Sequence, residues 1–336
     1  MYWLQIQYAK DCDMLLARNA GKVAAPDYQR HQPVQTPLYQ IIEEYYPEFK
    51  ARLEANGRTL PRYVQREFED FLTCGRLEYG LLRVRYEDCK HDRLEAFSCK
   101  RRGFCPSCGA RRMAESAALL VNEVLPQEPM RQWVLSFPFQ LRFLFASYPE
   151  LMCQVLGIVY RMLSTHLIKK AGFTKTTAQT GSVTLIQRFG SAVNLNIHFH
   201  MLFLDGIFAE DPYGQMHFHR VNAPTIGELS TLAHSLSQRI ARFLERKRLL
   251  EHEAENSYLM LEQSDEDVMA PLHGHSLTYR IAIGSQQGRK VFILQTQPSK
   301  NRNPSLERVT KEAGFSLHAG VSAEAHQRDK LEKLCR

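Results

Sequence analysis

Two histidines, His198 and His200, lie one residue apart in NLNIHFHMLFLDG, a stretch that is otherwise mostly apolar. Side chains alternate between the two faces of a β-strand, so both imidazoles project from one face and their apolar neighbours from the other. Two imidazoles on one face can reach the same metal ion, and a rigid strand leaves other coordination positions to substrate oxygens. The spacing therefore indicates a catalytic metal site. The alternative is a chance His-x-His pair on the polar face of a half-buried strand.

The same spacing occurs twice more in the chain. His217 and His219 follow a DPYG turn, and His273 and His275 flank Gly274. We expect the first pair on the exposed face of a hairpin and the second pair in a solvated linker.

Cysteines cluster in FSCKRRGFCPSCGARRM and in the residues before it. Cys105 and Cys108 have the C-x2-C spacing with which a tight turn presents two thiolates to one zinc ion. Cys89 and Cys99 can supply the second pair of ligands, with Cys74 or His91 in reserve. Four thiolates leave no open position, so this zinc would be structural; the alternative is a set of buried free thiols.

Cations surround these cysteines. They make a candidate phosphate-binding surface, and the alternative is an ordinary solvated charged face. The residues concerned are Lys100, Arg101, Arg102, Arg111 and Arg112.

Composition sets wider limits. The chain has 336 residues, is 44% hydrophobic and carries a net charge of +7, which suits a globular protein and permits a nucleic-acid partner. Neither a membrane-spanning apolar run nor a signal peptide is evident, so we expect a cytoplasmic protein with reduced cysteines and no membrane partner.

The elements that must position these residues follow from periodicity. Helices are predicted from Leu38, after Pro61, before Pro126, over Pro149–Lys170, from Thr225 to about Leu250 and from about Ser322 to Arg336. Strands are predicted at RQWVLSF, GSVTLIQRF, NLNIHFHMLFL and QMHFHRV, followed by a hairpin of HSLTYRIAI and KVFILQT.

This order predicts an α+β fold. A small zinc-binding N-terminal domain would precede a domain with a mainly antiparallel sheet flanked by helices. We expect an irregular extension over residues 1–36, a helical and zinc-binding domain over residues 37–115, and the larger domain over residues 126–336.

The stretch around His198-Phe199-His200 resembles the HUH motif (His, bulky hydrophobic, His) of transposases that mobilise rolling-circle insertion sequences, the insertion sequence 91 family and its common-region relatives. FSCKRRGFCPSCGARRM resembles the zinc-binding domain of the same family. Stretches such as RQWVLSFPFQLRFL and AGFSLHAGVSAEAHQRDKLEKLCR extend the resemblance over residues 37–336.

The resemblance implies a metal-dependent DNA reaction. His198, His200 and a third polar ligand would hold Mg²⁺ or Mn²⁺, and a tyrosine would attack single-stranded DNA at the ends of the insertion sequence. The products would be a 5′-phosphotyrosine link and a free 3′-hydroxyl. For the third ligand the candidates are His318 and, after it, Gln327 or Glu324.

Two departures from the family pattern bear on these expectations. Tyr86 stands where the zinc domain of the family has a further cysteine. The nucleophilic tyrosine of the family follows a pattern like LEKLCR, so we expect it to lie beyond Arg336. Tyr279, in the predicted hairpin, is interpreted as a packed strand residue, and Tyr258 lies in an acidic linker.

Two other functions remain open from the sequence. One is a zinc-containing DNA-binding protein without catalysis, in which the two histidines are structural. The other is a replication-initiator nuclease of a rolling-circle plasmid, which would share the HUH chemistry.

Overall fold

The computed structural model describes residues 32–85, 87–101, 103–190, 194–252, 257–260, 267–291 and 309–336. The chain divides into two compact units, residues 1–115 and residues 116–336. Each unit is described by itself.

The first unit combines helices with one small hairpin. It contains 3₁₀ turns at Pro33–Gln35 and Leu77–Tyr79, helices α1 (Pro37–Ala55) and α2 (Arg62–Thr73), strands β1 (Leu81–Arg85) and β2 (Asp92–Ala96), and most of α3 (Pro106–Leu119). The two predicted helices before the cysteines are confirmed. Thr36 caps α1, because its hydroxyl oxygen accepts a hydrogen bond from the Tyr39 amide at 3.3 Å.

The core of the first unit is built around the cysteines. Tyr39 and Phe71 are buried together with Cys74, Cys105 and Cys108. An aromatic contact closes this core, with the rings of Phe71 and Phe104 5.0 Å apart. The cysteines are therefore part of the packed interior rather than a surface loop.

The second unit begins with the end of α3, which continues as a π-helical turn at Leu120–Val124. The elements that follow are β3 (Met130–Ser136), α4 (Phe139–Ser147), α5 (Pro149–Lys170), β4 (Ala178–Gln179), β5 (Ser182–Phe189), β6 (Leu195–Leu204), β7 (Gly206–Glu210), β8 (Met216–Arg220), α6 (Ile226–Arg246), β9 (Leu250–His252), β10 (Ser257–Leu259), α7 (Met269–Thr278), β11 (Val309–Glu312), β12 (Phe315–Ala323) and α8 (Arg328–Cys335). With its mixed helices and antiparallel sheets the chain is α+β, as predicted.

The main sheet of the second unit has the strand order β11-β12-β3-β6-β5, and every neighbouring pair is antiparallel. β6, the strand that carries His198 and His200, lies between β3 and β5 near the centre. At Asp205 the chain leaves this sheet and enters a three-stranded sheet of order β4-β7-β8. The strands predicted at GSVTLIQRF, NLNIHFHMLFL and QMHFHRV thus belong to two sheets.

One face of the main sheet packs against α5 and α6. Phe199 and Met201 of β6 are fully buried there with Val159 and Leu163 of α5 and Ile240 of α6. By length and composition alone α5 could cross a membrane, but its apolar side chains form the centre of this core. The other face is covered at one end, where Leu202 and Leu204 of β6 pack with Ala323, Leu331 and Cys335.

The predicted hairpin after the acidic linker is wrong in its first arm. HSLT forms the end of helix α7, and within the described residues the two arms are paired by one bridge, between Arg280 and Lys290. The Ser276 hydroxyl accepts a hydrogen bond from the Leu195 amide at 2.9 Å, and Leu277 is buried. Docking against the start of β6 thus overrides the strand propensity of the segment. Residues 292–296 of the second arm lie outside the described residues.

Two other boundaries differ from prediction. His273 and His275 lie within α7 rather than in a linker. Ser322 and Ala323, placed in the last helix by prediction, are the end of β12, and α8 begins only at Arg328. The cause is pairing with β3, since Ala323 lies opposite Met130.

Candidate functional site

The histidine pair lies on one face of the main sheet, in register with a third histidine. His200 is opposite Val134 of β3, and Val134 is opposite His318 of β12. Directly opposed residues of antiparallel strands point to the same face. We call the face that carries His198, His200 and His318 the histidine face. All three side chains are partly exposed.

Hydrogen bonding fixes the orientation of His198. Its Nδ1 lies 2.7 Å from the backbone oxygen of Asn196. A carbonyl oxygen can only accept, so Nδ1 carries a proton, and in the neutral ring the lone pair therefore lies on Nε2. A backbone carbonyl bonded to one imidazole nitrogen is the usual arrangement behind a histidine that binds a metal through the other. The ring centroids of His198 and His200 are 4.9 Å apart.

His200 is held in its neutral form. Burial lowers the pKa of its imidazole, and the neighbouring His198 lowers it further. Only the neutral ring has a lone pair to offer a metal, so burial favours the binding form of His200 at neutral pH.

Of the three candidates for a third ligand, the register favours His318. Glu324 accepts a 2.5 Å ion pair from Arg220, and Gln327 accepts the amide of Glu324 at 3.1 Å. Both residues lie beyond the end of β12, which is Ala323. Only His318 is level with His200 across the sheet.

A buried ion pair holds the backbone beside His318. Arg131 donates two hydrogen bonds to the carboxylate of Asp205, at 2.7 Å each, and a third of 3.0 Å to the Ala319 carbonyl. The register of β12 shifts between His318 and Val321, a β-bulge of the kind often found beside functional sites. The sequence analysis did not predict this ion pair. Its signals in the sequence are Arg131, a cation inside an apolar strand, and Asp205, an acid directly after LFL.

Four cysteines form a second site in the first unit. Cys74 follows α2, Cys99 follows β2, and Cys105 and Cys108 lie at the start of α3. The Sγ atoms are 3.7 Å apart for Cys74 and Cys108, 3.5 Å for Cys99 and Cys108, and 3.7 Å for Cys74 and Cys105. Sulfurs at about 2.3 Å from a tetrahedral zinc are separated by roughly 3.8 Å, so the four residues fit zinc.

Cys89 is not part of this group, and Cys74 takes its place. Cys89 lies in the exposed turn between β1 and β2. Cys99 follows β2 at the opposite end of the hairpin, because Leu81 pairs with Ala96 there. A hairpin of this length separates the two sulfurs by roughly 13 Å or more. Tyr86 lies outside the described residues.

Three of the four thiols have shifted pKa values. The hydrogen bond between Cys105 and Cys74 lowers the pKa of Cys105 to about 5. Burial raises the pKa of Cys99 to about 12, and the bond to Cys105, followed by burial, raises that of Cys74. Ligand atoms of the four cysteines all lie within 4.8 Å of one another, and among the described residues no other set of three or more His, Cys, Asp or Glu does so. On the histidine face, His198 and His200 are neighbours, but no third His, Cys, Asp or Glu of the described residues joins them in a group whose ligand atoms all lie within 4.8 Å of one another.

The cations beside the cysteines are not equally available to bind phosphate. Arg101 donates a 2.6 Å hydrogen bond to Asp70 and also faces Glu67, so its charge is largely matched. Lys100 and Arg111 are exposed, and Arg112 is half-buried. Arg102 lies outside the described residues.

Tyr258 and Tyr279, the two tyrosines considered from the sequence, both lie outside the main sheet. Tyr258 lies in β10, opposite Glu251, and is half exposed. Tyr279 caps the end of α7 in the left-handed conformation, with φ of 55°, instead of lying in a hairpin strand.

Two family models match the chain. The model described as "Transposase zinc-binding domain" matches residues 41–137, which include the four cysteines. The model described as "Putative transposase" matches residues 181–336, which include the three histidines of the histidine face. No curated protein and no solved structure matches.

Proposed function

The chain belongs to the insertion sequence 91 type of transposase, with an N-terminal zinc-binding domain, and we propose that it cleaves and joins single-stranded DNA at a divalent metal held by its histidine face. The observation that carries this proposal is the pair formed by His198 and His200 on one face of a central strand, where the Asn196 carbonyl orients the His198 ring and burial lowers the pKa of His200.

The fit of Mg²⁺ or Mn²⁺ rests on this chain's own residues. Asn196 orients the His198 ring, and burial keeps His200 neutral. His318 is the proposed third ligand, supported by its position level with His200. When bound, the ion would polarise the scissile phosphate and orient it for attack.

In the proposed reaction a tyrosine oxygen forms a bond to phosphorus while the bond from phosphorus to the 3′ oxygen breaks. The tyrosine loses its proton and the leaving 3′ oxygen gains one, which gives a 5′-phosphotyrosine and a 3′-hydroxyl. Attack by a 3′-hydroxyl on the phosphotyrosine reverses these changes and joins the strands. The proposal assigns metal ligands in this chain and leaves the tyrosine unassigned.

The four cysteines complete the proposal as a structural zinc site. Cys74, Cys99, Cys105 and Cys108 would surround the ion and leave no position for substrate. Lys100, Arg111 and Arg112, near these ligands in the chain, would bind DNA phosphates at the insertion-sequence ends.

The test combines metal binding with strand cleavage. The protein is incubated with labelled single-stranded oligonucleotides carrying candidate ends and Mn²⁺, and covalent adducts and cut strands are resolved on a denaturing gel. We expect His198→Ala and His200→Ala each to reduce cleavage by about 100-fold or more and to weaken Mn²⁺ binding measured by electron paramagnetic resonance. His217→Ala is the matched control, since it lies in a second His-Phe-His and is exposed.

Unchanged Mn²⁺ binding in His198→Ala and His200→Ala would contradict the metal site, whatever the DNA result. Cleavage that survives these changes would contradict the chemistry. A tyrosine within this chain is identified by loss of the adduct in Tyr258→Phe or Tyr279→Phe.

A second candidate is a zinc-containing DNA-binding protein without catalysis. One observation favours it: among the described residues, only the four cysteines have three or more ligand atoms close enough to bind one ion. DNA binding that is lost with zinc, together with no Mn²⁺ binding at the histidine face, would support it.

A further inference from the structure

Helix α6 carries a row of cations on its exposed side. Arg239, Arg242 and Arg246 have the spacing of one helical face, and Lys247 and Arg248 continue the row past the end of the helix. All five side chains are exposed. We call these five residues the cationic stripe.

The stripe lies on the opposite side of the main sheet from the histidine face. The other side of α6, with Leu236, Ile240 and Phe243, is buried in the core between helices and sheet. Phe199 enters the same core, and it projects away from its neighbours His198 and His200. One short DNA segment therefore cannot contact the stripe and the histidine face at the same point.

The charges of the stripe are not matched by acids. None of its five residues takes part in an ion pair within the described part of the chain, and Glu245 is the one acidic residue between positions 238 and 248. Other cations of this unit are paired: Lys170 lies 2.6 Å from Glu228. Interaction with the helix dipole accounts for cations in the last turn only, and Arg239 and Arg242 lie earlier.

We propose that the cationic stripe binds the phosphate backbone of duplex DNA. α6 rises about 1.5 Å per residue, so Arg239 to Arg246 spans roughly 10 Å. A duplex presents one phosphate charge per ~1.7 Å of its axis, and guanidinium groups match phosphate oxygens well.

A duplex fits better than a single strand. Single-strand sites combine cations with aromatic side chains on which bases stack, and the exposed side of α6 carries no aromatic residue. This site goes beyond the proposed function, because it requires neither metal nor cleavage. It would hold a second DNA segment, on the side of the unit away from the cut strand.

The experiment measures binding of a labelled 20-base-pair duplex by fluorescence anisotropy over a range of salt concentrations, with no added Mg²⁺ or Mn²⁺. The test variant is Arg239→Glu/Arg242→Glu/Arg246→Glu. The control is Lys175→Glu/Arg289→Glu/Lys290→Glu, which makes the same change of charge at exposed positions elsewhere in the unit. A milder variant with glutamine at the three stripe positions guards against misfolding, checked by circular dichroism.

We expect the test variant to bind the duplex about 10-fold or more weakly at moderate salt. The slope of log K against log salt should fall by about 2–3, as expected for the loss of three phosphate contacts. The control should change both quantities far less, and a single-stranded probe should be affected less than the duplex. Equal effects of test and control, or a loss confined to the single strand, would overturn the proposal.

Failure of this inference and failure of the proposed function are separate results. His198→Ala should leave duplex binding unchanged, whereas the stripe variant should keep cleavage of short single strands. If both variants lost cleavage while both still bound the duplex normally, the stripe would not be the duplex site. The proposed cleavage function would not be contradicted by that result.

Discussion

At the scale of single residues, Cys74 and Cys89 differ most from what the cysteine spacing predicts. Cys74 lies within ligand distance of Cys105 and Cys108, whereas Cys89 is at the tip of a hairpin. We predict that Cys74→Ser lowers zinc affinity by about 100-fold or more, since a direct ligand matters more than the ~10–100-fold of an outer partner. Cys89→Ser should bind zinc normally. Chelator competition followed by elemental analysis measures both, and equal loss in the two variants would refute the assignment.

The thiol pKa values predict how zinc binding depends on pH. Cys99, with a pKa of about 12, and Cys74, whose pKa is also raised, hold protons that zinc must displace. Cys105, with a pKa of about 5, releases none at neutral pH. The two protons held by Cys74 and Cys99 alone should make the affinity fall by at least about 100-fold for each unit of pH lowered between pH 8 and 6. Proton release into a weak buffer during zinc titration checks this; release of no protons would contradict it.

At the scale of elements, the Arg131–Asp205 ion pair joins β3 to the crossing between β6 and β7 and to the bulge of β12. Both side chains are almost fully buried. Arg131→Met leaves the carboxylate buried without its partner and should cost about 3–5 kcal/mol of unfolding free energy in a urea titration. Arg131→Met/Asp205→Leu should recover a large part of this loss. The single variant Asp205→Leu is measured as well. If the double variant lost as much stability as Arg131→Met and Asp205→Leu added together, the two side chains would not act as a pair.

Elements with strong local signals were predictable from sequence, and elements made by distant pairing were not. Helix α5 has the predicted bounds because Pro149 begins it and Gly172 follows it. The strand of His198 was recognisable from its alternation. Strand β12 has a weak pattern, and its partner β3 lies far away in the chain. Helix α7 depends on its contact with Leu195, which no local pattern encodes.

The same distinction holds for the candidate site. His198 and His200 follow from a two-residue spacing, and C-x2-C follows from a tight turn. Sequence spacing does not predict that Cys74 replaces Cys89, because this depends on how the hairpin folds. It also does not predict that His318 aligns with His200, because this depends on the pairing of the sheet.

At the scale of the whole molecule, buried histidines set a dependence of stability on pH. Burial lowers the pKa of His166 and His273, as it does that of His200. These groups take up protons in the unfolded chain near pH 6.5 but only at lower pH in the folded one. Below about pH 6.5 the unfolded state is therefore favoured, and stability should fall until the folded pKa values are reached.

The measurement is the free energy of unfolding by urea at pH values from 5 to 8, with zinc content followed in parallel. His166→Gln/His273→Gln should lose less stability between pH 7 and 5 than the unchanged protein. An identical pH dependence in both proteins would show that other groups are responsible.

The position of β3 between β6 and β12 has a consequence for synthesis on the ribosome. Arg131 of β3 and Ala319 of β12, which are hydrogen-bonded, are 188 residues apart in the chain. At about 5–20 residues per second, the ribosome needs roughly 10–40 s to make the strand that closes this side of the sheet. Until then β3 lacks this neighbour and His318 does not exist, so the nascent chain cannot complete the histidine face before translation has passed β12.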